Sequence, residues 1–199
     1  MYKIVEMFKS VQSEGHHSGT PANFIRFYGC NLQCKFGEYS CDEPLHTQQT
    51  AIEETSLEEI LNFCNGIKHV VITGGEPSIN DLKYLIKMLR KAGHYVQVET
   101  NGLNYQNIKN ANWITYSPKT TWDENASEMQ GNFHELKLLA SEEFPPDVEK
   151  WATVKNKYVQ PIADGDKLDF FNTKWCYRFV ISNPTWKLSL QSHKMAGER

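Results

Sequence analysis

The feature that most constrains the fold is an apolar stretch, Phe24-Ile-Arg-Phe-Tyr-Gly29, that runs directly into three closely spaced cysteines. Cys30, Cys34 and Cys41 are near enough in sequence for one loop to present their thiolates to a single metal centre. A 4Fe–4S cluster held by three protein thiolates keeps one iron open to a small chelating molecule. The same cysteines with His46 could instead complete a Cys3His zinc site, so their spacing alone leaves both alternatives open.

A second constraint comes from the segment Thr73-Gly-Gly-Glu-Pro77, which ends the buried-strand pattern of residues 68–73. Two consecutive glycines allow the backbone to approach a ligand closely. Glu76 then offers a carboxylate to a cationic group. We therefore expect a ligand site at the end of this strand.

Composition bounds the class of protein. The chain has 199 residues, of which 40% are apolar and 23% charged, and this suits one soluble domain with a substantial core. A formal net charge of −3 argues against general nucleic-acid binding. The sequence shows neither a signal peptide nor an apolar run of membrane-spanning length. Five cysteines in such a chain favour metal ligation in a reducing compartment, and we expect a cytoplasmic protein with no membrane partner.

Periodicity predicts an alternation of strands and helices. Strands are predicted at residues 2–8, 23–28, 68–73, 95–98, 113–116, 135–139, 158–160, 178–182 and 188–190, and residues 9–21 are predicted to form a loop. Helices are predicted at residues 56–65, from a cap at Asn80 to Gly93, at 146–155 and at 167–175. Cys64 falls on the buried side of the first helix. This order predicts a parallel sheet with right-handed crossovers, with ligands at the carboxyl ends of its strands.

Together these motifs resemble the radical S-adenosylmethionine (SAM) enzymes, in which three cysteines hold the cluster and a Gly-Gly-Glu-Pro strand end receives the amino group of SAM. Further motifs resemble one family among them, the 7-carboxy-7-deazaguanine synthases. They are Gln12-Ser-Glu-Gly15, Phe24-Ile-Arg-Phe27, Glu99-Thr-Asn-Gly102, Ser117-Pro-Lys119, Gln160-Pro161 and Leu188-Ser-Leu-Gln-Ser-His-Lys194. The resemblance covers essentially the whole chain.

The resemblance implies an α/β fold, a partial, incomplete parallel β/α barrel of the radical SAM type that is reduced in size. It implies a single radical SAM domain over residues 1–199, with a cluster loop at 29–47. A C-terminal tail at 184–199 is expected to close the active site.

The resemblance also implies the cofactor-binding residues, with Cys30, Cys34 and Cys41 holding the 4Fe–4S cluster. The implied SAM contacts are Phe36, Tyr39, Ser40, Gly75, Glu76, Ser117, Pro118, Lys119, Gln160, Pro161, Ile162 and Ala163. No side chain is expected to be catalytic, because SAM and the cluster carry the radical chemistry. A strand-terminating turn at Ser117-Pro118 and a solvated Lys119 are the alternative interpretations of that motif.

The substrate implied by the resemblance is 6-carboxy-5,6,7,8-tetrahydropterin, which the family converts to 7-carboxy-7-deazaguanine with loss of ammonia, in the biosynthesis of queuosine and related bases. The implied substrate contacts are Val11, Gln12, Ser13, Glu14, Arg26, Thr73, His193 and Arg199. Arg26 suits bidentate recognition of the substrate carboxylate, although an outward-facing arginine on a half-exposed strand is the commoner case. Homodimerisation and a flavodoxin or ferredoxin as electron donor are further expectations.

Two departures from the family pattern stand out. Six residues separate Cys34 from Cys41 where two are usual, so Phe36 or Tyr39 takes the place of the usual aromatic contact to adenine. The family places a threonine as Mg²⁺ ligand two positions after the third cysteine, whereas this chain has Glu43 there. A carboxylate oxygen is a competent Mg²⁺ ligand, and Thr47 is a second candidate.

Two alternative functions remain open at the level of sequence. A glycyl-radical-enzyme activase would share the cluster and SAM but would act on a protein, leaving the Gln12–Gly15 motif, Arg26 and His193 without a small molecule to hold. A zinc-stabilised binding module would use Cys30, Cys34, Cys41 and His46, would be colourless and would tolerate Glu76→Ala.

Overall fold

A computed structural model describes residues 1–41, 52–119 and 126–198, with the backbone alone at 126 and 127. Its strands are β1 (Tyr2–Gln12), β2 (Thr20–Phe27), β3 (Lys35–Phe36), β4 (Tyr39–Ser40), β5 (Glu53–Thr55), β6 (His69–Gly74), β7 (Tyr95–Thr100), β8 (Trp113–Tyr116), β9 (Glu135–Ala140), β10 (Lys157–Pro161) and β11 (Lys187–Leu188). Its α-helices are α1 (Leu57–Phe63), α2 (Lys83–Lys91), α3 (Ala126–Met129), α4 (Phe170–Ser182) and α5 (Ser192–Ala196). Short 3-10 turns lie at Gly15–His17, Pro77–Ile79 and Tyr105–Asn107.

The described residues form one nine-stranded sheet, in the order β11-β10-β9-β8-β7-β6-β2-β1-β5, and a separate β3–β4 hairpin. In the nine-stranded sheet, all the pairings that link β2, β6, β7, β8, β9, β10 and β11 are parallel. Strand β1 is antiparallel to both β2 and β5. The predicted parallel sheet is therefore confirmed, with an antiparallel edge added by the N-terminal strands.

Helices pack against the sheet as their periodicity predicts. Ser56 and Glu59 form the predicted capping box, each side chain bonding the other's backbone N–H at the start of α1. Leu85, Ile86 and Leu89 of α2 are fully buried. Cys64, which follows α1, is also fully buried, as predicted. Within the described ranges, no helix is long and apolar enough to cross a membrane.

The loop predicted at residues 9–21 is wrong for its first part, because β1 continues to Gln12. The segment from Lys9 to Gln12 pairs residue by residue with Asn23 to Thr20 of β2, which satisfies its backbone hydrogen bonds. The predicted cap at Asn80 is also wrong. Helix α2 begins only at Lys83, whose backbone N–H donates to Oδ1 of Asp81 at 3.2 Å.

Two predictions in the C-terminal half are wrong. Residues 146–155 form no helix: residues 148–153 form turns, and the carbonyl oxygens of Trp151 and Ala152 accept hydrogen bonds from the Lys157 ammonium. The predicted strand at 178–182 is the last part of α4, which begins at Phe170 behind an Asp169 cap and is longer than its sequence pattern indicates. Helix α5 was not predicted.

Strands β6 and β2 lie very close together at Gly74, the last residue of β6. A Cβ there would lie 2.3 Å from the carbonyl oxygen of Phe27, and the φ angle of +150° also favours glycine. The first glycine of the Gly-Gly-Glu-Pro motif is thus required by the contact between β6 and β2.

Candidate active site at the carboxyl edge of the sheet

One cavity of about 480 Å³ lies at the carboxyl edge of the parallel strands. Its wall includes three cysteines, residues in or just after β6 to β10, residues of β1 and β2, and the C-terminal tail. Of the predicted site residues, its wall contains Val11, Gln12, Ser13, Glu14, Arg26, Cys30, Cys34, Cys41, Thr73, Gly75, Ser117, Lys119, Gln160 and His193. The topology thus collects residues from most of the chain around a single space.

The three predicted cluster ligands face this cavity. Cys30 and Cys34 are partly buried, and Cys41 is exposed. The backbone N–H of Leu32 donates to the Cys30 sulfur at 3.4 Å. Within the described part of the chain no three His, Cys, Asp or Glu side chains are close enough to hold a metal ion as they stand. The thiolate chemistry and shared cavity wall fit a 4Fe–4S cluster once the loop draws the sulfurs together.

Several predicted residues of the cluster loop fall outside the described ranges. They are His46, the proposed fourth zinc ligand, and Glu43 and Thr47, the candidate Mg²⁺ ligands. Phe36, Tyr39 and Ser40 are described, and they form the β3–β4 hairpin. Phe36 packs against Phe144 with ring centroids 5.7 Å apart, and the Tyr39 hydroxyl donates to Asp169 at 3.2 Å. None of the three belongs to the described wall of the cavity.

Glu76 lies beneath the cavity and is fully buried. Its carboxylate accepts hydrogen bonds from the backbone N–H groups of Ser78 (2.9 Å) and Asn101 (2.6 Å) and from the Thr100 hydroxyl (2.6 Å). Burial raises its pKa against the opposing effect of these donors. Its own N–H donates to the carbonyl oxygen of Gly29 at 2.8 Å, so Glu76 ties the ends of β6 and β7 to the start of the cluster loop.

Some of the predicted SAM-binding residues at the ends of β8 and β10 line the cavity, and the others do not. Ser117 and Lys119 both face the cavity, and the Lys119 ammonium donates to the Ser117 hydroxyl at 2.8 Å. Gln160 faces the cavity and accepts from the Ser189 hydroxyl at 2.8 Å. Outside the described wall lie partly exposed Pro118 and the buried residues Pro161, Ile162 and Ala163.

Predicted substrate-binding residues of β1, β2 and β6 also line the cavity. Gln12 is the last residue of β1, and Glu14 lies just beyond it. The backbone N–H of Glu14 donates to the Gln12 side-chain oxygen at 3.1 Å. Arg26 of β2 donates from Nε to Glu6 of β1 at 2.9 Å, and both side chains are largely buried. Thr73 of β6 also belongs to the wall.

The C-terminal tail reaches the same cavity. Nδ1 of His193 lies 2.5 Å from the Ser13 hydroxyl, which joins α5 to the end of β1. Gln191, Lys194 and Glu198 also contribute to the wall. The remaining predicted contact, Arg199, lies outside the described residues.

Among the wall residues that sequence reasoning missed are two charged residues of the parallel strands, Glu99 of β7 and Lys137 of β9. The Lys137 ammonium forms a very short hydrogen bond with Glu14 and lies 3.6 Å from Oε2 of Glu99. The signal was present in Glu135-Leu-Lys-Leu-Leu139, where charged and apolar residues alternate along a strand. In a strand paired on both sides, such an alternation indicates polar side chains directed into an interior.

Comparison with known proteins gives a consistent result. The model of the Radical SAM superfamily matches residues 24–138. A protein of Bacteroides thetaiotaomicron named 7-carboxy-7-deazaguanine synthase is 35% identical, over 98% of this chain and 97% of the relative. The protein of the same name from Haemophilus influenzae is 30% identical, over 98% of this chain and 93% of the relative.

The fold agrees with a solved structure of the same kind. The crystal structure of QueE from Escherichia coli aligns with a TM-score of 0.75 at 30% identity, and the alignment covers 96% of this chain and 93% of that one. The sheet described above is thus the partial β/α barrel of radical SAM proteins, and their cofactors are a 4Fe–4S cluster and SAM. The chain belongs to the radical SAM superfamily and, within it, to the 7-carboxy-7-deazaguanine synthase family.

Proposed function

We propose that this protein is a radical SAM lyase that converts 6-carboxy-5,6,7,8-tetrahydropterin to 7-carboxy-7-deazaguanine with release of ammonia. The observation that carries the proposal is the sharing of one cavity by two sets of residues. The first set is Cys30, Cys34 and Cys41, and the second is Gln12 to Glu14 with Arg26. A cavity of about 480 Å³ is in the usual range for small-molecule sites.

The three thiolates would hold the cluster, which together with SAM supplies the radical that starts the reaction. Lys119 is positioned to pair with the SAM carboxylate, because its ammonium lies at the cavity wall and is oriented by Ser117 at 2.8 Å. The backbone of Gly75 forms the wall at the end of β6, where a side chain would occupy space that the methionine part of SAM needs. Buried Glu76 supports this segment from below through its three hydrogen bonds.

Arg26 is the residue proposed to bind the substrate carboxylate. Its Nε donates to Glu6, which orients the guanidinium plane beside the cavity. A guanidinium held in this way can present its terminal nitrogens to a carboxylate in the paired geometry that arginine favours. His193, held by Ser13, and the rest of the tail at 184–199 are proposed to cover the bound pterin.

Several components of the proposal concern groups beyond the described residues. Mg²⁺ is proposed to bind through Glu43, with Arg199 contacting the substrate. A small reductant protein, flavodoxin or ferredoxin, is proposed to supply the electron, and the chain is proposed to be a cytoplasmic homodimer. Product use in queuosine-type biosynthesis belongs to the same proposal.

The test is anaerobic incubation of the reconstituted protein with SAM, reductant and 6-carboxytetrahydropterin, with and without Mg²⁺, and mass spectrometry of the products. We expect 7-carboxy-7-deazaguanine from the wild type and from Cys176→Ala, a buried cysteine of α4 away from the cavity. No product is expected from Cys34→Ala. Cleavage of SAM without any change in the pterin would overturn the substrate assignment and favour an activase. Activity that is unchanged without Mg²⁺ would exclude the proposed role of Glu43.

A further inference from the structure

A buried lysine joins two carboxylates in the wall of the cavity. Lys137 lies in the middle of β9 and is 5% exposed. Its ammonium is hydrogen-bonded to Oε2 of Glu14 and lies 3.6 Å from Oε2 of Glu99. These two glutamates come from the end of β1 and from β7, so the lysine connects elements that are distant in sequence.

The glutamates are also linked by an amide. Gln12 donates from Nε2 to Oε1 of Glu99 at 3.0 Å, and its side-chain oxygen accepts from the backbone N–H of Glu14 at 3.1 Å. One oxygen of each carboxylate is therefore directed at Lys137, while Gln12 fixes Glu99 from the side. All four residues belong to the wall of the cavity.

The positive charge of Lys137 and the negative charges of Glu14 and Glu99 stabilise one another. The carboxylates of Glu14 and Glu99 repel each other, and the Lys137 ammonium that both of them contact offsets this repulsion. Burial lowers the pKa of Lys137, but the carboxylates of Glu14 and Glu99 outweigh this effect and hold the pKa above its usual value. Lys137 is therefore charged throughout the neutral range, and the group carries a net negative charge toward the ligand.

The ligand chemistry that suits such a group is a planar edge of neighbouring N–H donors. The pyrimidinone ring of a pterin has this edge, formed by its 2-amino group and its N3–H. An ionised carboxylate has about four lone-pair sites, so Glu14 and Glu99 can each accept one of these donors in addition to their contact with Lys137.

We propose that Lys137 is a positioning residue that holds the carboxylates of Glu14 and Glu99 as the acceptors for the 2-amino edge of the pterin ring. The identity of the ligand rests on the proposed function. The lysine acts through the glutamates, because its ammonium contacts one oxygen of each and so fixes their orientation. A site built this way strongly rejects an analogue that lacks the amino group, because its acceptors would then face an oxygen.

The test compares two stable, oxidised probes, pterin-6-carboxylate and lumazine-6-carboxylate. They differ at positions 1 and 2 of the ring: the first has a 2-amino group beside an unprotonated N1, and the second has a carbonyl oxygen beside N1–H. Dissociation constants are measured for the reconstituted protein in the presence of SAM. We expect the wild type to prefer the pterin by at least about tenfold, equivalent to about 1.4 kcal/mol. In Lys137→Met the preference should fall below about threefold, with SAM binding unchanged.

Lys157→Met is the matched control. Lys157 is a buried lysine of the neighbouring strand β10, but its ammonium donates to the backbone carbonyls of Trp151 and Ala152 and does not face the cavity. Its loss should reduce stability and leave the preference for the pterin intact. A fall of the preference in this control as well would show that any buried lysine has the effect, and would overturn the proposal.

Glu99→Gln provides a second variant if Lys137→Met does not fold. It keeps the shape of the side chain but replaces one acceptor oxygen by a donor, so the preference should again fall below about threefold. A preference retained in either folded variant, or absent from the wild type, would overturn the role of Lys137 and leave the proposed function standing. Binding of neither probe by the wild type would overturn the proposed function itself.

Discussion

Gly15 and Glu135 approach so closely that a Cβ on Gly15 would lie 1.9 Å from Oε1 of Glu135. The backbone N–H of His16 and the indole N–H of Trp113 both donate to Oε2 of Glu135 at 3.1 Å. Glu135 is 1% exposed, at the first position of β9 and two residues before Lys137. The loop after β1 is therefore held on a buried carboxyl group close to the part of the cavity wall that contains Lys137.

This carboxyl group makes stability depend on pH. Burial raises the pKa of Glu135 from 4.5 to about 7, against the opposing effect of Lys137 and the two N–H donors. Since the native state then binds a proton more tightly than the unfolded state, the stabilising contribution is complete below pH 4.5 and is lost as pH rises toward about 7. The loss should amount to about 2 to 3 kcal/mol between pH 5 and 8.

Chemical denaturation of the wild type and of Glu135→Gln without the cluster, at several pH values, measures this effect. The variant lacks the titrating group, so the difference in free energy of unfolding between the two proteins should change across this range. A difference that stays constant with pH would contradict the prediction.

Gly74→Ala should destabilise the fold by about 3 kcal/mol or more, because the added Cβ would lie 2.3 Å from a backbone oxygen of β2. Gly66→Ala is the matched control. Gly66 also has a positive φ angle, +90°, but a Cβ there meets nothing within 4 Å, so only the conformational cost of about 1 kcal/mol is expected. Equal losses of stability in urea denaturation would show that the contact with β2 does not matter.

Cys34→Ala should abolish cluster binding and all turnover, because it removes one of the three thiolates at the cavity. The measurement is iron and sulfide content with visible absorption after anaerobic reconstitution. Cys64→Ala removes a fully buried thiol outside the cavity, and this variant should retain both iron and colour. A full iron complement in Cys34→Ala, or a bound zinc ion that no variant loses, would contradict the assignment of the cluster.

Lys119→Met should weaken SAM binding by about tenfold, since it removes a cation from the cavity wall and about 1.4 kcal/mol of charge-assisted hydrogen bonding. Lys109, an exposed lysine that bonds only the Gln106 side chain among its described contacts, supplies the control Lys109→Met. Equilibrium binding of SAM to the reconstituted proteins gives the answer. An unchanged affinity for SAM in Lys119→Met would contradict a contact between Lys119 and SAM, and the role of Lys119 would then be its hydrogen bond to Ser117.

His193→Ala should release the tail from β1, because its ring nitrogen contacts the Ser13 hydroxyl at 2.5 Å. Backbone hydrogen exchange at residues 191–198 should become at least about tenfold faster, and pterin binding should weaken in parallel. Met195→Ala, which changes a side chain of α5 that is 69% exposed, should alter neither. Faster exchange with unchanged pterin affinity would remove the tail from the proposed binding site.

The sequence predicts the parallel sheet well because each strand from β6 to β10 is a short buried run between polar connections. It fails where two signals compete. Phe179, Val180 and Ile181 suggest a strand by composition, yet they continue a helix that Asp169 caps ten residues earlier. The sequence pattern predicts that Lys137 lies on a strand but does not predict that it belongs to the site. The partners that allow its burial, Glu14 and Glu99, come from the end of β1 and from β7. Burial of a charge depends on tertiary contacts that local periodicity does not contain.

The position of the cysteines along the chain has a consequence for biosynthesis. Cys30, Cys34 and Cys41 leave the ribosome early, whereas the wall that faces them is completed only by Gln160 and by the tail at Gln191 to Glu198. At ordinary translation rates this interval is about 8 to 30 s. During it the nascent chain carries three unprotected thiols without the strands that later surround them. We therefore expect the yield of active enzyme to depend on keeping those thiols reduced until the later strands have folded around them.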